Sequence, residues 1–146
     1  MKAIVQRVKE ASVSVNGEVV SSIGPGLLVL AGVTHGDGPD QVERLARRIL
    51  ALRVFPTDKA DMDAPLGDDR EVLCVSQFTL YGDTAKGNRP SWGAAAPGDV
   101  AKPLWESLCE ALGAKRGVFG AMMAVQLVND GPVTLNLEEA PQPDNG

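Results

Sequence analysis

The stretch "LLVLAGV", residues 27–33, decides the architecture. A strand with one wet face alternates apolar and polar side chains; this one is apolar throughout. It must therefore be covered on both faces, inside a sheet with further layers around it. Upstream, "KAIVQRV" and "ASVSV" alternate with period two, and "NGE" at 16–18 supplies a hairpin turn into "EVVSSI". Gly24-Pro25-Gly26 ends that strand and releases the buried one. Downstream, Val42, Leu45, Ala46, Ile49 and Leu50 share one face of a helix that starts near Pro39-Asp40. The stretch "EVLCVSQFTL" reads as another strand. A second helix carries Ala101, Leu104, Trp105, Leu108, Cys109 and Leu112 on one face. Pro103 leaves its start open, because proline suits only the first turn.

The chain then runs through "GVFGAMMAVQLV" and "VTLNLE", read as two strands joined at the turn "NDGPVT", residues 129–134. The expected fold is α/β. It is a single compact domain, 1–138, of mixed β-sheet with about seven strands, partly barrel-like. Two helices pack on one side, giving three layers, α/β/β, with parallel crossovers around the helices. Residues 139–146, polar and proline-containing, are expected to form a flexible tail.

Composition narrows the function classes. The chain has 146 residues, 44% hydrophobic and 23% charged, with a net charge of −5. No apolar run is long enough to span a membrane. The charged, alternating N-terminus is neither a signal nor a transit sequence, so a cytoplasmic protein is expected. The acidic balance argues against broad nonspecific nucleic-acid binding, although it leaves room for contact with one end of an RNA. Arg44, Arg47, Arg48 and Arg53 read as a solvated helix face, and Lys86 and Arg89 sit in a loop. Cys74 and Cys109 lack any CxxC spacing and read as reduced core thiols. No cluster has metal-ligand spacing, so neither a structural nor a catalytic metal is expected.

Common catalytic signatures are missing: HExxH, GxGxxG, a P-loop and GxSxG are all absent. The one histidine, His35, lies in the polar turn "THGDGPD" and reads as an exposed loop residue. Two stretches remain. "SQFTLYGD", residues 76–83, puts Ser76, Gln77 and Thr79 at a strand end that opens into the long, glycine-rich loop "YGDTAKGNRPSWGAAAPG". It reads either as polar residues meeting water or as a cradle of hydroxyls, an amide and free N–H groups for a carbonyl. "NDGPVT" reads locally as a trans turn, since only about one X–Pro bond in twenty is cis. Arg7 reads as an edge charge, and Trp92 and Trp105 as packing aromatics.

Taken together, "SQFTL", "KGNRPSW", "FGAMMAVQLVNDGPVT" and the opening "MKAIVQRVKEASVSVNGEVVSSIGPGLLVLAGV" resemble the D-aminoacyl-tRNA deacylases of bacteria and eukaryotes. The resemblance runs in order from Met1 to about Leu137. It implies hydrolysis of the ester joining a D-amino acid to the 3′-terminal ribose of tRNA, with glycyl-tRNA also accepted. It further implies a cofactor-free homodimer with active sites at the subunit interface. Ser76, Gln77, Phe78 and Thr79 would form the pocket floor, with the N–H groups of Phe78 and Thr79 as oxyanion donors. Gly131-Pro132 would be cis and point carbonyls into the partner's pocket, rejecting L side chains. Arg7 would brace that segment, with Asn129, Val133 and Thr134 in support.

Two mechanisms follow from the resemblance: Thr79 as nucleophile, or an oriented ester whose ribose 2′-hydroxyl helps to activate water. The second is preferred, because no general base accompanies Thr79 in the sequence. Two departures stand out. "DMDAPL", residues 61–66, replaces a segment that is usually basic, which puts any tRNA contact there in doubt, and Trp105 replaces a usual tyrosine. The competing expectations are a noncatalytic module binding aminoacyl ends or D-amino acids, and a different esterase using Ser76 or Thr79.

Overall fold

The computed structural model describes residues 1–143; part of the expected tail, 144–146, lies outside the described residues. The first strand, β1, spans Lys2–Val15 without a break. "KAIVQRV" and "ASVSV" are thus one strand and not two. The polar Lys9-Glu10 step between them is a bulge: Val8 opposes Asn129 and Glu10 opposes Val128, leaving Lys9 as the extra residue. Ala3 and Val5 face one core. Val8 points to the opposite one, and the bulge keeps Ala11 and Val13 there with it.

Strands β2 (Glu18–Ile23) and β3 (Gly26–Gly32) share one edge of β1. β3 pairs with Lys2–Val8 and β2 with Ala11–Val15, both antiparallel. Helix α1 (Pro39–Ala51) follows β3 and leads to β4 (Glu71–Ser76), which runs parallel to β3. Helix α2 (Gly98–Leu112) precedes the short β5 (Lys115–Arg116), parallel to β4. The last strand, β6 (Ala124–Glu138), lies antiparallel along the other edge of β1. The sheet curls until β2 comes against β4 and β5. There Lys115 Nζ donates to the Ser22 carbonyl at 3.1 Å and pairs with Glu71 at 2.9 Å, so the barrel nearly closes.

Among the described residues the sheet has six strands against the expected seven or so, and the mixed, barrel-like α/β arrangement holds. The buried stretch that opened the sequence behaves as its composition demands. Leu27, Val29 and Ala31 of β3 face α1 and α2, whereas Leu28 points into the barrel with Leu73 and Val75. Helices, central sheet and far β wall form the three layers.

Several local expectations change. "EVLCVSQFTL" is a strand only to Ser76; Phe78–Tyr81 is a 3-10 turn. Leu50 is exposed, because the apolar face of α1 closes on Val42, Leu45, Ala46 and Ile49 alone. Helix α2 starts at Gly98, so Pro103 lies inside it. "NDGPVT" is no turn between two strands. β6 keeps to β1 on both sides of it, and the segment loops out of the ladder between Asn129 and Thr134. The buried Met1 ammonium donates to Asp37 Oδ1 at 2.8 Å and to the Glu139 carbonyl at 2.7 Å, which anchors the open end of the sheet.

Candidate active site

The site begins where β4 ends. Ser76 is its last residue, and the Gln77 N–H still bonds the Ala31 carbonyl of β3 at 2.8 Å. The chain then tightens into the 3-10 turn, which packs against the end of β3. Gly32 allows that approach: a Cβ there would come within 2.8 Å of the Gln77 carbonyl. The first hydrogen bond of the turn runs from Leu80 N to the Gln77 carbonyl at 3.2 Å. The N–H groups of Phe78 and Thr79 come before it and have no acceptor among the described residues. The Gln77 amide donates to the Thr79 hydroxyl, fixing both side chains.

A cavity of about 420 Å³ opens here. Ser76, Gln77 and Phe78 line one wall, and Ala96, Trp105 and Met122 lie among its other walls. Trp105 of α2 packs on Phe119 with ring centroids 5.8 Å apart. The long loop is fastened across this region. Ala96 N bonds the Val33 carbonyl at 3.0 Å, Thr34 Oγ1 donates to the Ala94 carbonyl at 2.5 Å, and His35 Nε2 meets the Gly93 carbonyl at 2.9 Å. His35 is an exposed loop tether rather than a wall of the cavity.

Thr79 is exposed and does not line the cavity, and no titratable side chain hydrogen-bonds it among the described residues. Next to it, burial pushes the Tyr81 hydroxyl above the ordinary phenol range, helped by the charges of Asp37 and Glu138. Among the described residues no three His, Cys, Asp or Glu side chains gather closely enough to hold a metal ion.

The Gly131-Pro132 segment lies apart. None of Asn129–Thr134 lines this cavity. The Gly131–Pro132 peptide is cis, Gly131 has φ +135°, and both residues are exposed. The neck of the excursion is closed by Asn129, whose Oδ1 accepts from Val133 N at 2.8 Å and whose Nδ2 donates to Thr134 Oγ1 at 2.9 Å. Arg7 holds it from behind: Nε donates to the Asp130 carbonyl at 2.9 Å and Nη1 to the Val54 carbonyl at 2.6 Å.

Arg7 is therefore not an edge charge. It is 4% exposed, and it shares the odd, inward phase of Ala3 and Val5, a signal the strand pattern already carried. Asp61 is the residue that sequence reasoning missed. Its carbonyl and carboxylate both accept from Arg7 at 3.2 Å, so the acidic departure at 61–66 reaches the Gly-Pro segment through Arg7. Ser76, Gln77 and Phe78 thus meet at one cavity, while Arg7, Asn129, Gly131, Pro132, Val133 and Thr134 form a second cluster on the same chain.

The family model described as D-Tyr-tRNA(Tyr) deacylase matches residues 4–138. A Kineococcus radiotolerans protein described as D-aminoacyl-tRNA deacylase is 56% identical, across 94% of this chain and 99% of that one. A Thermobifida fusca protein of the same description is 54% identical over the same shares. The solved structure described as c-Myc DNA Unwinding Element Binding Protein superposes with a TM-score of 0.88 at 43% identity, covering 96% of this chain and 99% of that one. A probable eukaryotic D-amino acid tRNA deacylase, 14% identical, shares the fold with a TM-score of 0.77 over 93% of this chain and 98% of its own. The chain belongs to the D-Tyr-tRNA(Tyr) deacylase family.

Proposed function

We propose that the protein hydrolyses the ester between a D-amino acid and the 3′-terminal ribose of tRNA, freeing both, and that it also accepts glycyl-tRNA. One observation carries this reading: two unpaired N–H groups, Phe78 and Thr79, stand at the strand end where the cavity opens. Such a pair suits the oxygen of a tetrahedral intermediate, whose charge grows only as the reaction proceeds. Water adds to the ester carbonyl, the oxyanion takes the two N–H groups, and the ribose oxygen leaves with a proton. The ribose 2′-hydroxyl assists the water, because no basic side chain hydrogen-bonds Thr79 among the described residues. No cofactor is required for these steps, and the setting is the cytoplasm.

Selectivity needs the second cluster. Gly131 and Pro132 project outward and do not reach the cavity of their own chain, so a second copy would have to supply them. In a two-fold dimer each subunit then lends its excursion to the other's cavity. The excursion occupies the space an L side chain requires, glycine has nothing to clash, and a D side chain points away.

A noncatalytic binder of aminoacyl ends is the second reading, supported by the absence of a general base beside Thr79. Incubating the protein with D- and L-tyrosyl-tRNA, with and without a chelator, separates the two. Selective release from the D ester, unaffected by chelation, is expected; equal release from both, or none, rejects the deacylase.

A further inference from the structure

We propose that the flap between Asp83 and Trp92 grips the single-stranded 3′ end of the RNA. Lys86 and Arg89 would take backbone phosphates, and the exposed ring of Trp92 a base. This rests on the reading of tRNA as substrate. The flap is a formed element. Asp83 and Ser91 exchange backbone hydrogen bonds of 2.8 Å at its neck, and Asp83 Oδ1 accepts from Ala85 N at 2.8 Å.

At its foot Trp92 packs on Gly82, where a Cβ would come within 2.7 Å of the indole. Its ring meets Phe78 edge-on, with centroids 5.2 Å apart. Yet Trp92 is 43% exposed and Phe78 57% exposed. Because Phe78 also lines the cavity, the aromatic pair continues the cavity wall outward towards the flap. Trp92 is thus more than a packing aromatic: one side is fixed and the other open, as a stacking platform requires.

Charge selects the partner. This is an acidic chain whose arginines are mostly neutralised in place, as in Arg48–Glu139 and Arg53–Asp63. Lys86 and Arg89, both exposed, have no carboxylate within ion-pair distance among the described residues. The carboxylate beside them, Asp83, is committed to its own turn. Two free cations with an exposed aromatic at the cavity's rim match phosphates and bases of single-stranded RNA.

The test is the double variant Lys86→Gln/Arg89→Gln, assayed on D-tyrosyl-tRNA and on D-tyrosyl-adenosine, which lacks the upstream phosphates. KM for the tRNA should rise about tenfold with kcat kept, and the salt slope should fall by about 0.7 for each lost phosphate contact. Hydrolysis of the adenosine ester should match the parent. Equal kinetics on the tRNA, or equal loss on both esters, overturns the proposal. So does a change in sedimentation mass with an unchanged salt slope, which would assign the flap to contact between copies. If the parent protein hydrolyses neither ester, the deacylase reading fails and the flap is judged separately. A tetranucleotide RNA ending in CCA should then quench the fluorescence of exposed Trp92; no quenching overturns the grip.

Discussion

Arg7 Nε donates to the Asp130 carbonyl at 2.9 Å, from a side chain that is almost wholly buried. The same guanidinium reaches the Val54 carbonyl at 2.6 Å and the Asp61 carboxylate at 3.2 Å. One planar fork therefore fastens the Gly-Pro excursion to the loop after α1, which a single ammonium could not span.

Arg7→Ala should cost roughly 3 kcal/mol in urea unfolding, since it leaves buried carbonyl groups without donors. Arg7→Lys should keep more of the stability but let the excursion drift. The measurement is the ratio of D- to L-ester turnover beside the unfolding midpoint. A lysine variant with the parent's ratio would show that the excursion needs no brace.

Gly131→Ala should damage the same ratio more sharply. An alanine Cβ would meet Val133 Cγ2 at 2.8 Å and Arg7 Nη2 at 3.2 Å, at a φ that side chains rarely adopt. We expect about 1–3 kcal/mol of strain, relieved by distorting the excursion. The expected readout is L-ester hydrolysis closer to that of the D ester, with the CD spectrum kept. Unchanged discrimination would remove Gly131 from the selectivity role.

Thr79→Val should retain measurable turnover, because the backbone N–H survives and only the hydroxyl that accepts from Gln77 is lost. The expected loss is about tenfold, far short of the loss that follows deletion of a nucleophile. Abolished turnover with intact tRNA binding would point to covalent catalysis by Thr79.

Cys74 and Cys109 give a reading of the core. The neighbouring Cys109 thiol and complete burial hold Cys74 well above the ordinary thiol range, so it stays protonated at pH 8. Both cysteines are fully buried. An aromatic disulfide reagent should therefore label neither in the native state and both in denaturant. Rapid native labelling would mean that the contact between β4 and α2 opens readily.

The sheet and helices were legible because burial repeats at fixed spacing. Leu27–Val33 announced a strand covered on both faces, and the buried face of α1 differed at Leu50, which is exposed, and at Gln41, which is buried. The merging of strands was not legible. Lys9-Glu10 and Gly131-Pro132 use the polar, glycine and proline chemistry that also makes turns, and only the pairing partner separates a bulge from a turn. At the site, Ser76, Gln77 and Phe78 announced themselves by motif. Met122 and Ala96 did not, because their place in the cavity depends on how distant loops close. Read alone, Arg7 passes for an edge charge, although its odd phase with Ala3 and Val5 points inward; the brace was implied by the resemblance and not by the strand pattern.

The excursion in β6 also carries an arithmetic of parity. Between its two anchor points β1 advances two residues, Gln6 to Val8, while β6 advances five, Asn129 to Thr134. The odd surplus lets Leu127 face the barrel while Leu137 faces the helices, each matching its partner on β1. Uninterrupted pairing could not place both leucines this way, because a period of two returns every second residue to the same face.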